Sequence, residues 1–530
     1  MSRAAPSPAF AQRLSLRPTL PASSPVPSPF VLRPSSLRHS CPSRRAIFAF
    51  LACAVALAST ARAAAPALTL EEAIHLALEK NQQIKVESYG RSIARANLLT
   101  ALGQFDPAVT FRRSYSEDGT PYSADPFIKQ LVQNDSYSLA LEGRSPWGMT
   151  YSLGAQAQNQ RSTVNTTVFP QGFLSFAGLS VTQPLLRGFG FNAAYADVRI
   201  AKADRSISDW QFRQTAIDTV THVVVAYSDL AFAQQQLRIA ERSRNLAAGL
   251  LDENEKRYKV GSISESEVTQ ARARTANRAE AILYAEQGVA DATNRLRQLI
   301  GEIDFPIDPE TFALELIDPP DITVQPAQDL QTALELRPDY QAAKLGLVKN
   351  VTREKSARNR LLPEVDFVGS YGYAGLDTTF PGSRRMVADR ENRSYSAGLV
   401  VSVPLTFAEG RGRLRSARLQ ARQAEADLLR LKQDIALSIA HAAGEIRTTR
   451  RRVVANHAAY DLAKQALDAE LKKLRAGTSN SFFVLNLQEQ LAGVESSLYN
   501  SLADQRRALA FYDQEIGRTL LVHHLTLDPE

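Results

Sequence analysis

The stretch Leu428-Leu-Arg-Leu-Lys-Gln-Asp-Ile-Ala-Leu-Ser-Ile-Ala-His-Ala-Ala-Gly-Glu-Ile446 decides the fold. Its apolar residues recur in steps of three and four, as in a coiled-coil seam, at Leu428, Leu431, Ile435, Ile439, Ala442 and Ile446. The stretch lies in a run from Ala408 to Ala476 that contains no proline. A straight helix of this length would extend roughly 100 Å, whereas globular helices average about 11–12 residues. We therefore predict a very long helix that packs beside others.

A second proline-free run extends from about Asn192 to Lys259. Each run ends at a glycine, Gly261 or Gly477, and glycine tolerates the left-handed conformation that ends a helix. The residues after Gly261 begin a new helix, because Ser264 and Glu267 have the spacing of a capping box. Each run is thus predicted to form a helical hairpin, with tips at about residues 258–264 and 474–482.

The chain contains two copies of one unit, and their matching residues keep their order. At an offset of 256 residues, the series Pro107, Val109, Phe111, Tyr115 falls on Pro363, Val365, Phe367, Tyr371. Further matches follow at offsets of 220 and 216. We assign the copies to residues 64–300 and 331–518, with hairpins at about 190–300 and 408–518. Residues 301–330 are rich in proline and acid and are predicted to be a linker, and residues 519–530 a tail.

Each copy is predicted to start with a helix, the first capped by Thr69 and Glu72, and to continue with strands. Residues at about 107–185 and 363–405 alternate between apolar and polar, with aromatic residues near the ends. The first copy holds four such segments, Val109–Tyr115, Tyr137–Gly143, Met149–Gln158 and Leu174–Leu185. Alternation fits a membrane β-barrel and also a half-buried soluble sheet, and alone it does not separate them.

The first 63 residues have the composition of an export leader. Residues 1–43 are rich in Pro, Ser and Arg without any acid, which predicts disorder. Arg44-Arg45, an apolar run at 46–58 and small residues up to Ala63 or Ala65 match a secretory signal peptide. Translation from a later start near Val31, a twin-arginine signal and lipidation of Cys53 remain as alternatives. The apolar run is too short for a membrane-spanning helix, and no later segment is long and apolar enough.

Removal of the leader changes the charge. Residues 1–63 hold eight arginines and no Lys, Asp or Glu, whereas the whole chain carries a formal +7, so the exported part is near −1. The basic sequence pI of 9.3 therefore gives no reason to expect nucleic-acid binding. Both cysteines, Cys41 and Cys53, precede the cleavage site. This excludes disulfides and thiolate metal sites from the exported chain.

Catalysis finds no support in the motifs. The chain lacks H-E-x-x-H, P-loop, G-x-S-x-G and dinucleotide-binding patterns. His523-His524 is the one histidine pair, and a mobile tail is a better explanation for it than a weak metal site. We expect no enzyme activity, cofactor or metal site.

Together these features resemble the outer-membrane efflux protein (TolC-like) family over roughly residues 68–518. The resemblance rests on Leu68–Ile74 with Ala77–Asn81, on the strand entries at Pro107 and Pro363, on the strand exit Gln183–Leu185, and on both tips. The family resemblance implies a mainly helical fold with a β-barrel portion, built from two repeats of helix, strands and long hairpin. It also implies a homotrimer with one shared barrel in outer-membrane lipid and a periplasmic helical tunnel.

The resemblance further implies a passive conduit that works with other proteins. The partners would be a periplasmic adaptor (membrane fusion) protein and an inner-membrane pump of the RND or ABC type, in a tripartite efflux pump or a type I secretion system. The adaptor would dock at the tips, at Val260, Gly261, Ser262, Ala476, Gly477 and Thr478. Drugs, metals, polysaccharides and proteins all remain possible cargoes, because the partners would set specificity.

Two features depart from the family pattern. Where well-known members carry paired aspartates after the second tip, this chain has Phe483 and Asn486. A gate of Phe482 and Phe483 is one reading and packing at the tip core another, while Glu265 and Glu267 at the first tip offer charge or simple capping. The second departure is the extra strand material of the first copy. Either the barrel has six strands per chain, or this hairpin lies outside the lipid; the family pattern favours four strands per chain, which we expect.

Three aromatic residues are candidates for a membrane-interface girdle: Trp147, Tyr115 and Tyr371. A competing function from another class is a soluble periplasmic coiled-coil adaptor or scaffold. Two equivalent hairpins, alternating strands in both copies and the lack of an inner-membrane anchor favour the channel.

Overall fold

The computed structural model describes residues 67–122, 125–164, 167–168, 171–314 and 324–527. The predictions for the leader, including cleavage at Ala63 or Ala65 and lipidation of Cys53, lie outside these residues. No helix in the described ranges combines the length and apolar content needed to cross a bilayer.

Two very long helices confirm the prediction made from the proline-free runs. Helix α4 spans Ala196–Lys259 and helix α9 spans Ala408–Arg475, with 64 and 68 residues. At 1.5 Å per residue both extend roughly 100 Å. Each is followed by a return helix about half as long, α5 (Glu265–Leu299) and α10 (Ser481–Ile516).

The remaining length of each long helix packs against a helix from the start of its copy. Helix α1 (Leu70–Lys80) and helix α2 (Gln82–Gly103) open the first copy, and α6 (Pro326–Leu336) and α7 (Pro338–Arg360) open the second. Helix α2 contacts α4, and α7 contacts α9. The short helix α3 (Phe191–Ala194) precedes α4. The fold is therefore helix, strands and long hairpin, twice over, as predicted.

One antiparallel sheet contains the strands of both copies. The first copy contributes β2 (Ala108–Tyr122), β3 (Asp125–Arg144), β4 (Thr150–Val164) and β6 (Gly172–Pro184). The second contributes β8 (Glu364–Asp377) and β9 (Asn392–Ser402). The order is β2-β3-β4-β6-β8-β9, with the short β5 (Thr167–Val168) beside β4. Six long strands share the sheet, so the expectation of four per chain is wrong: the extra hairpin pairs along its whole length.

Two details of the strand region also differ from the prediction. Strands β2, β3 and β4 extend well beyond the alternating segments, because cross-strand pairing continues into polar residues such as Ser116 and Asn134. Helix α8 (Phe380–Ala388) lies between β8 and β9, inside the range predicted as strands. Thr379 caps it by accepting a hydrogen bond from the Gly382 N–H at 3.3 Å.

The predicted linker and tail are more structured than expected. Strand β7 (Ala313–Leu314) pairs in parallel with β1 (Ala67–Leu68), and α6 begins at Pro326, a residue favoured in the first helical turn. The predicted mobile tail forms helix α11 (Thr519–Val522). Leu520 is buried in the core, and Leu525 and Leu527 pack against it, so apolar burial orders the tail up to Leu527.

Each copy has its own apolar core near the middle of the helices. The first core joins α1 to α4 and α5 and includes Ile74, Ile217, Leu230 and Leu296. The second joins α6 to α9 and α10 through residues that include Ile435, Ile439 and Ile446 of the predicted seam. These buried positions fix the long helices side by side.

The two predicted capping boxes have different outcomes. Thr69 accepts a hydrogen bond from the Glu72 N–H at 3.2 Å, and Glu72 accepts one from the Thr69 N–H at 3.0 Å. Ser264 does occupy the cap position of α5, but its side chain makes no capping bond. The capping-box prediction at Ser264 and Glu267 is therefore wrong, because the Ser264 hydroxyl forms no hydrogen bond with the first-turn amides.

Candidate functional site

Both hairpin tips are built in the same way. Gly261 and Gly477 follow the long helices with φ of +75° and +78°. The next amide bonds back to the helix, from Ser262 to the carbonyl of Arg257 at 2.9 Å and from Thr478 to that of Lys473 at 3.0 Å. This is the Schellman pattern, in which a left-handed glycine satisfies the last carbonyls of a helix. Any side chain at either glycine would strain the turn.

The six residues predicted to dock a partner are all exposed at these tips: Val260, Gly261, Ser262, Ala476, Gly477 and Thr478. Val260 is 76% exposed, although it is apolar and β-branched. Nearby, the Glu470 carboxylate accepts two hydrogen bonds. The Ser479 hydroxyl donates one at 2.5 Å, and the Lys473 ammonium donates the other at 3.1 Å. These two hydrogen bonds lower the pKa of Glu470, and the bond from Ser479 has the larger effect. The tips thus present small and apolar groups above ionised helix ends.

Arg274 of α5 joins the first hairpin to the second close to the tips. Both terminal nitrogens donate to Oδ1 of Asn486 on α10 at 3.1 Å. The guanidinium also lies over the Phe482 ring, 5.5 Å from its centroid. Glu489 is 3.8 Å from Arg274 and 3.6 Å from Arg278. No spacing rule predicts this contact, because Arg274 and Asn486 are 212 residues apart along the chain.

A buried hydrogen bond and an apolar cluster support the same junction. The Ser481 hydroxyl donates to Oδ1 of Asn254 on α4 at 2.8 Å, and Asn254 is only 1% exposed. Around it pack residues from three helices, Leu250, Leu467, Leu474, Val484 and Leu485. Because this cluster excludes water, a hydrogen bond to solvent cannot readily replace the one between Ser481 and Asn254.

The predicted gate residues are brought together only in part. Phe482 and Phe483 form an edge-to-face pair with centroids 5.9 Å apart, and about half of each side chain is exposed. Arg274 connects Asn486 to this pair, because it donates to Asn486 and lies over the Phe482 ring. Glu265 is exposed and Glu267 half-buried at the other tip, and within the described residues neither forms a hydrogen bond or ion pair with this group. The gate candidates therefore reduce to Phe482, Phe483 and Asn486, with Arg274 added.

The sheet carries a second candidate surface, an apolar row that crosses every long strand. Directly paired residues lie on the same face of a sheet. One such row contains Val109, Leu141, Leu153, Leu179, Tyr371 and Tyr395. All six side chains are exposed, between 38% and 78%. An unpartnered apolar row of this width is what a lipid-facing barrel surface requires.

The neighbouring row points to the opposite face and is polar or small. It contains Ala108, Glu142, Ser152, Ser180, Ser370 and Ser396. The Ser370 and Ser396 hydroxyls bond across two strands at 2.8 Å. The sheet thus has one face for an apolar medium and one for water. The cross-strand rows separate apolar from polar residues more clearly than the alternation along each strand of the sequence does.

The three predicted girdle aromatics lie at different heights. Trp147 is in the β3–β4 turn at the helix end of the sheet, where its carbonyl accepts the Gly190 N–H at 2.9 Å. Tyr115 pairs with Asp135, where the apolar rows end on the far side. Tyr371 belongs to the apolar row itself, so its position is central and only Trp147 and Tyr115 lie near the borders of the band.

A family profile decides the assignment. The sequence profile of the outer membrane efflux proteins matches residues 142–302 and 330–514, which is more than half of the chain. The chain belongs to the outer membrane efflux protein family. The resemblance inferred from the hairpin tips and the repeat is thereby confirmed.

Individual relatives share a modest identity with this efflux protein. The outer membrane efflux protein BepC of Brucella suis biovar 1 is 25% identical over 338 residues, covering 62% of this chain and 68% of BepC. The alkaline protease secretion protein AprF of Pseudomonas aeruginosa is 25% identical over 339 residues, covering 63% and 67%. Among solved structures, the CmeC outer membrane channel of Campylobacter jejuni superposes with a TM-score of 0.63 at 15% identity, covering 84% and 85%.

The family assignment has general consequences. The chain is an outer-membrane channel protein of the kind used in efflux and type I secretion, and its relatives are channels, not enzymes. Efflux proteins of this family are pump components that work with adaptor proteins and inner-membrane transporters. Within the described ranges, no group of three or more His, Cys, Asp or Glu residues is placed to hold a metal ion.

Proposed function

We propose that three copies of this chain close one barrel in the outer membrane and continue as a helical tunnel in the periplasm. Substrates pass through it passively, and the energy comes from an inner-membrane pump. The signal between Arg44 and Ala65 directs export. The observation that carries the proposal is the six-strand sheet, which has one exposed apolar face and belongs to a chain with helices roughly 100 Å long.

The edges of the sheet support closure between copies. In the described part of the chain, β2 and β9 have no partner on their outer sides. Unpaired backbone groups are not tolerated in lipid, so each β9 must pair with the β2 of another copy. Head-to-tail pairing of this kind closes into a ring. Three copies of six strands give a barrel in the size range of about 16–18 strands that leaves an aqueous channel.

The tips are proposed to dock the periplasmic adaptor. Gly261 and Gly477 present backbone turns with small neighbours, which allow a partner helix or loop to approach closely. Val260 supplies exposed apolar surface for such a contact. The two tips share one geometry, so a trimer would offer six similar docking points in a ring.

The contact of Arg274 with Asn486 and Phe482 is proposed to hold the channel closed. It connects α5 of one hairpin to α10 of the other, near the ends of both. Opening the tunnel requires the hairpins to separate, and this contact must then break. The neutral amide of Asn486 makes a weaker bond to Arg274 than a carboxylate would, so the closed state is held only moderately.

Fractionation and conductance test the proposal. The full chain should remain in the outer-membrane pellet after an alkaline wash. In detergent it should have three times the mass of one chain, and in a planar bilayer it should give discrete conductance steps. Release from the periplasm without detergent as a monomer would instead support the competing soluble adaptor. That outcome would also contradict the lipid-facing role of the apolar row.

A further inference from the structure

Helix α8 packs on the apolar face of the sheet, at the end away from the long helices. The Ser383 hydroxyl bonds that of Ser175 on β6 at 2.8 Å, and the bond is buried. Phe380 packs against Phe173, with centroids 6.2 Å apart. A side chain at position 375 of β8 would overlap the Ser383 carbonyl oxygen, so Gly375 lets the helix approach closely. Helix α8 is therefore held against the face that meets lipid.

The apolar rows of that face end where α8 lies. The row that crosses Phe173 contains Tyr115, Asp135, Asn159 and Asp377. On the same face, Arg113 lies one row nearer the long helices and is 3.4 Å from Asp135, and beyond the row Glu117 accepts from Tyr115 at 2.8 Å. With the long helices in the periplasm, this border is the outer surface of the bilayer. Helix α8 thus lies at the depth of the lipid headgroups.

Four arginines surround this position. Arg384 and Arg385 are exposed on α8, and Arg390 and Arg393 follow it. The segment also contains Asp389 and Glu391, so arginines outnumber acids by four to two. Among the residues that the structure describes, none of the four arginines forms an ion pair, and only Arg390 has an aromatic contact, 5.9 Å from the Tyr373 ring centre. Asp377 is occupied as an acceptor for the Thr379 N–H at 2.7 Å.

A groove of about 210 Å³ runs between α8 and the strands, and Arg384 is part of its wall. The strands contribute mainly apolar or small side chains, including Phe111, Leu139, Ala155, Ala157 and Ala177. Phe380 and Val387 of α8 line the other side. The groove therefore combines an apolar floor with a guanidinium at its edge.

We propose that this groove binds an acylated, phosphorylated glycolipid of the outer leaflet, of the lipid A class. An acyl chain fits the apolar floor, where it replaces contacts that water cannot make. Guanidinium groups bind phosphate with paired hydrogen bonds, and basic clusters at the membrane surface recognise anionic headgroups. The arginines lack acidic partners because the phosphates supply the negative charge. The site would fix the barrel in the outer leaflet and is separate from the tips.

Binding is measured on the full-length trimer in mild detergent by native mass spectrometry. The added ligands are diphosphoryl lipid A, its fully dephosphorylated form and phosphatidylglycerol, and inorganic phosphate serves as a competitor. We expect the trimer to retain diphosphoryl lipid A at least fivefold better than either other lipid, without displacement by inorganic phosphate. Equal retention of the dephosphorylated form or of phosphatidylglycerol would overturn the proposal, and so would displacement by free phosphate.

Variants locate the binding on α8. Arg384→Gln combined with Arg390→Gln should lower lipid A retention at least fivefold. The matched control, Arg447→Gln with Arg451→Gln, removes two exposed arginines from the middle of α9 and should leave it unchanged. Equal retention of lipid A by the two double variants refutes the site. If the variant with Arg384→Gln and Arg390→Gln does not fold, the comparison of the lipids on the unaltered chain decides whether the proposal holds. The inference rests on the proposed barrel: a trimer without lipid selectivity overturns only the lipid site, whereas a monomer overturns the barrel.

Discussion

Arg274 donates from both terminal nitrogens to the Oδ1 atom of Asn486, at 3.1 Å each, and so ties α5 of the first hairpin to α10 of the second. Arg272, two residues earlier, bonds Glu255 at 2.8 Å within the first hairpin. One of these neighbouring arginines therefore connects the two hairpins, and the other does not. This difference allows a controlled test of the gate.

We predict that Arg274→Ala opens the channel more often than Arg272→Ala. Loss of about 1 kcal/mol from the closed state raises the ratio of open to closed channels about fivefold. Single-channel recordings in a planar bilayer measure this ratio. Asn486→Asp should have the opposite effect, because a carboxylate binds the guanidinium more strongly. Equal open probabilities for the two alanine variants would remove Arg274 from the gate.

The bond between Ser481 and Asn254 should matter for stability. Ser481→Ala leaves Oδ1 of Asn254 without its partner in a buried site, and Nδ2 of Asn254 already lacks one among the described residues. We expect the free energy of unfolding to fall by about 1–3 kcal/mol. Ser262→Ala, at an exposed position of the other tip, should change it by less than about 0.5 kcal/mol. Urea unfolding followed by circular dichroism compares the two, and similar midpoints would contradict the prediction.

Two adjacent residues of β4 test which face of the sheet meets lipid. Leu153 lies in the apolar row and Ser152 in the polar one. Leu153→Arg should destabilise the inserted barrel by about 2–4 kcal/mol per chain if it lies near the middle of the bilayer. Ser152→Arg, in the aqueous bore, should preserve insertion and alter conductance. Resistance of the trimer to heating in detergent gives the readout, and a reversed order of the two variants would place the faces the other way round.

We predict that protonation of His523 lowers the stability of the fold in mild acid. Burial lowers its pKa, and the nearby carboxylates of Asp513 and Glu71 oppose this while His524 adds to it. The folded-state pKa lies below the unfolded value of about 6.5, so the stabilisation is complete above that pH and is lost as the pH falls through the folded value. The melting temperature should drop between about pH 7.5 and about pH 5. His523→Gln should reduce this drop, and His441→Gln, on an exposed helix face, should not.

The seating of α8 is tested by two strand glycines. Gly375→Ala should displace the helix, because the added methyl group overlaps the Ser383 carbonyl oxygen. Gly398→Ala on β9 meets no atom within 4 Å and serves as the control. Limited trypsin digestion at Arg384 and Arg385 should be severalfold faster in the first variant, since proteolysis follows local opening. Equal cleavage rates would show that α8 is not held there.

Much of the fold was predictable because it depends on local rules. Missing prolines and the seam around Ile435 and Ile439 predicted the long helices, and Gly261 and Gly477 predicted their ends. The same reasoning failed where tertiary contacts decide. The polar outer parts of β2 and β3 lack alternation and are strands because each pairs with the other. Helix α8 depends on the close approach at Gly375, which no local pattern shows.

The candidate site was predicted unevenly for the same reason. The tips follow from chain-local glycine turns, so their six residues could be named from the sequence. The junction of Arg274 with Asn486 forms between different copies of the repeat, and packing of the helices alone brings it together. Ser264 shows the limit of a local rule, because it stands at a helix start without capping it.

The near-equal lengths of α4 and α9, and of α5 and α10, restrict how this chain can change during evolution. Deletion of one heptad from α9 alone would withdraw its tip by about 10 Å, while the tip after α4 stayed in place. The junction of the two hairpins would then lose its register, and a docking partner would meet an uneven ring. Insertions and deletions can therefore persist only when both duplicated halves acquire them in step. A periplasm of different width would demand paired changes in the two halves.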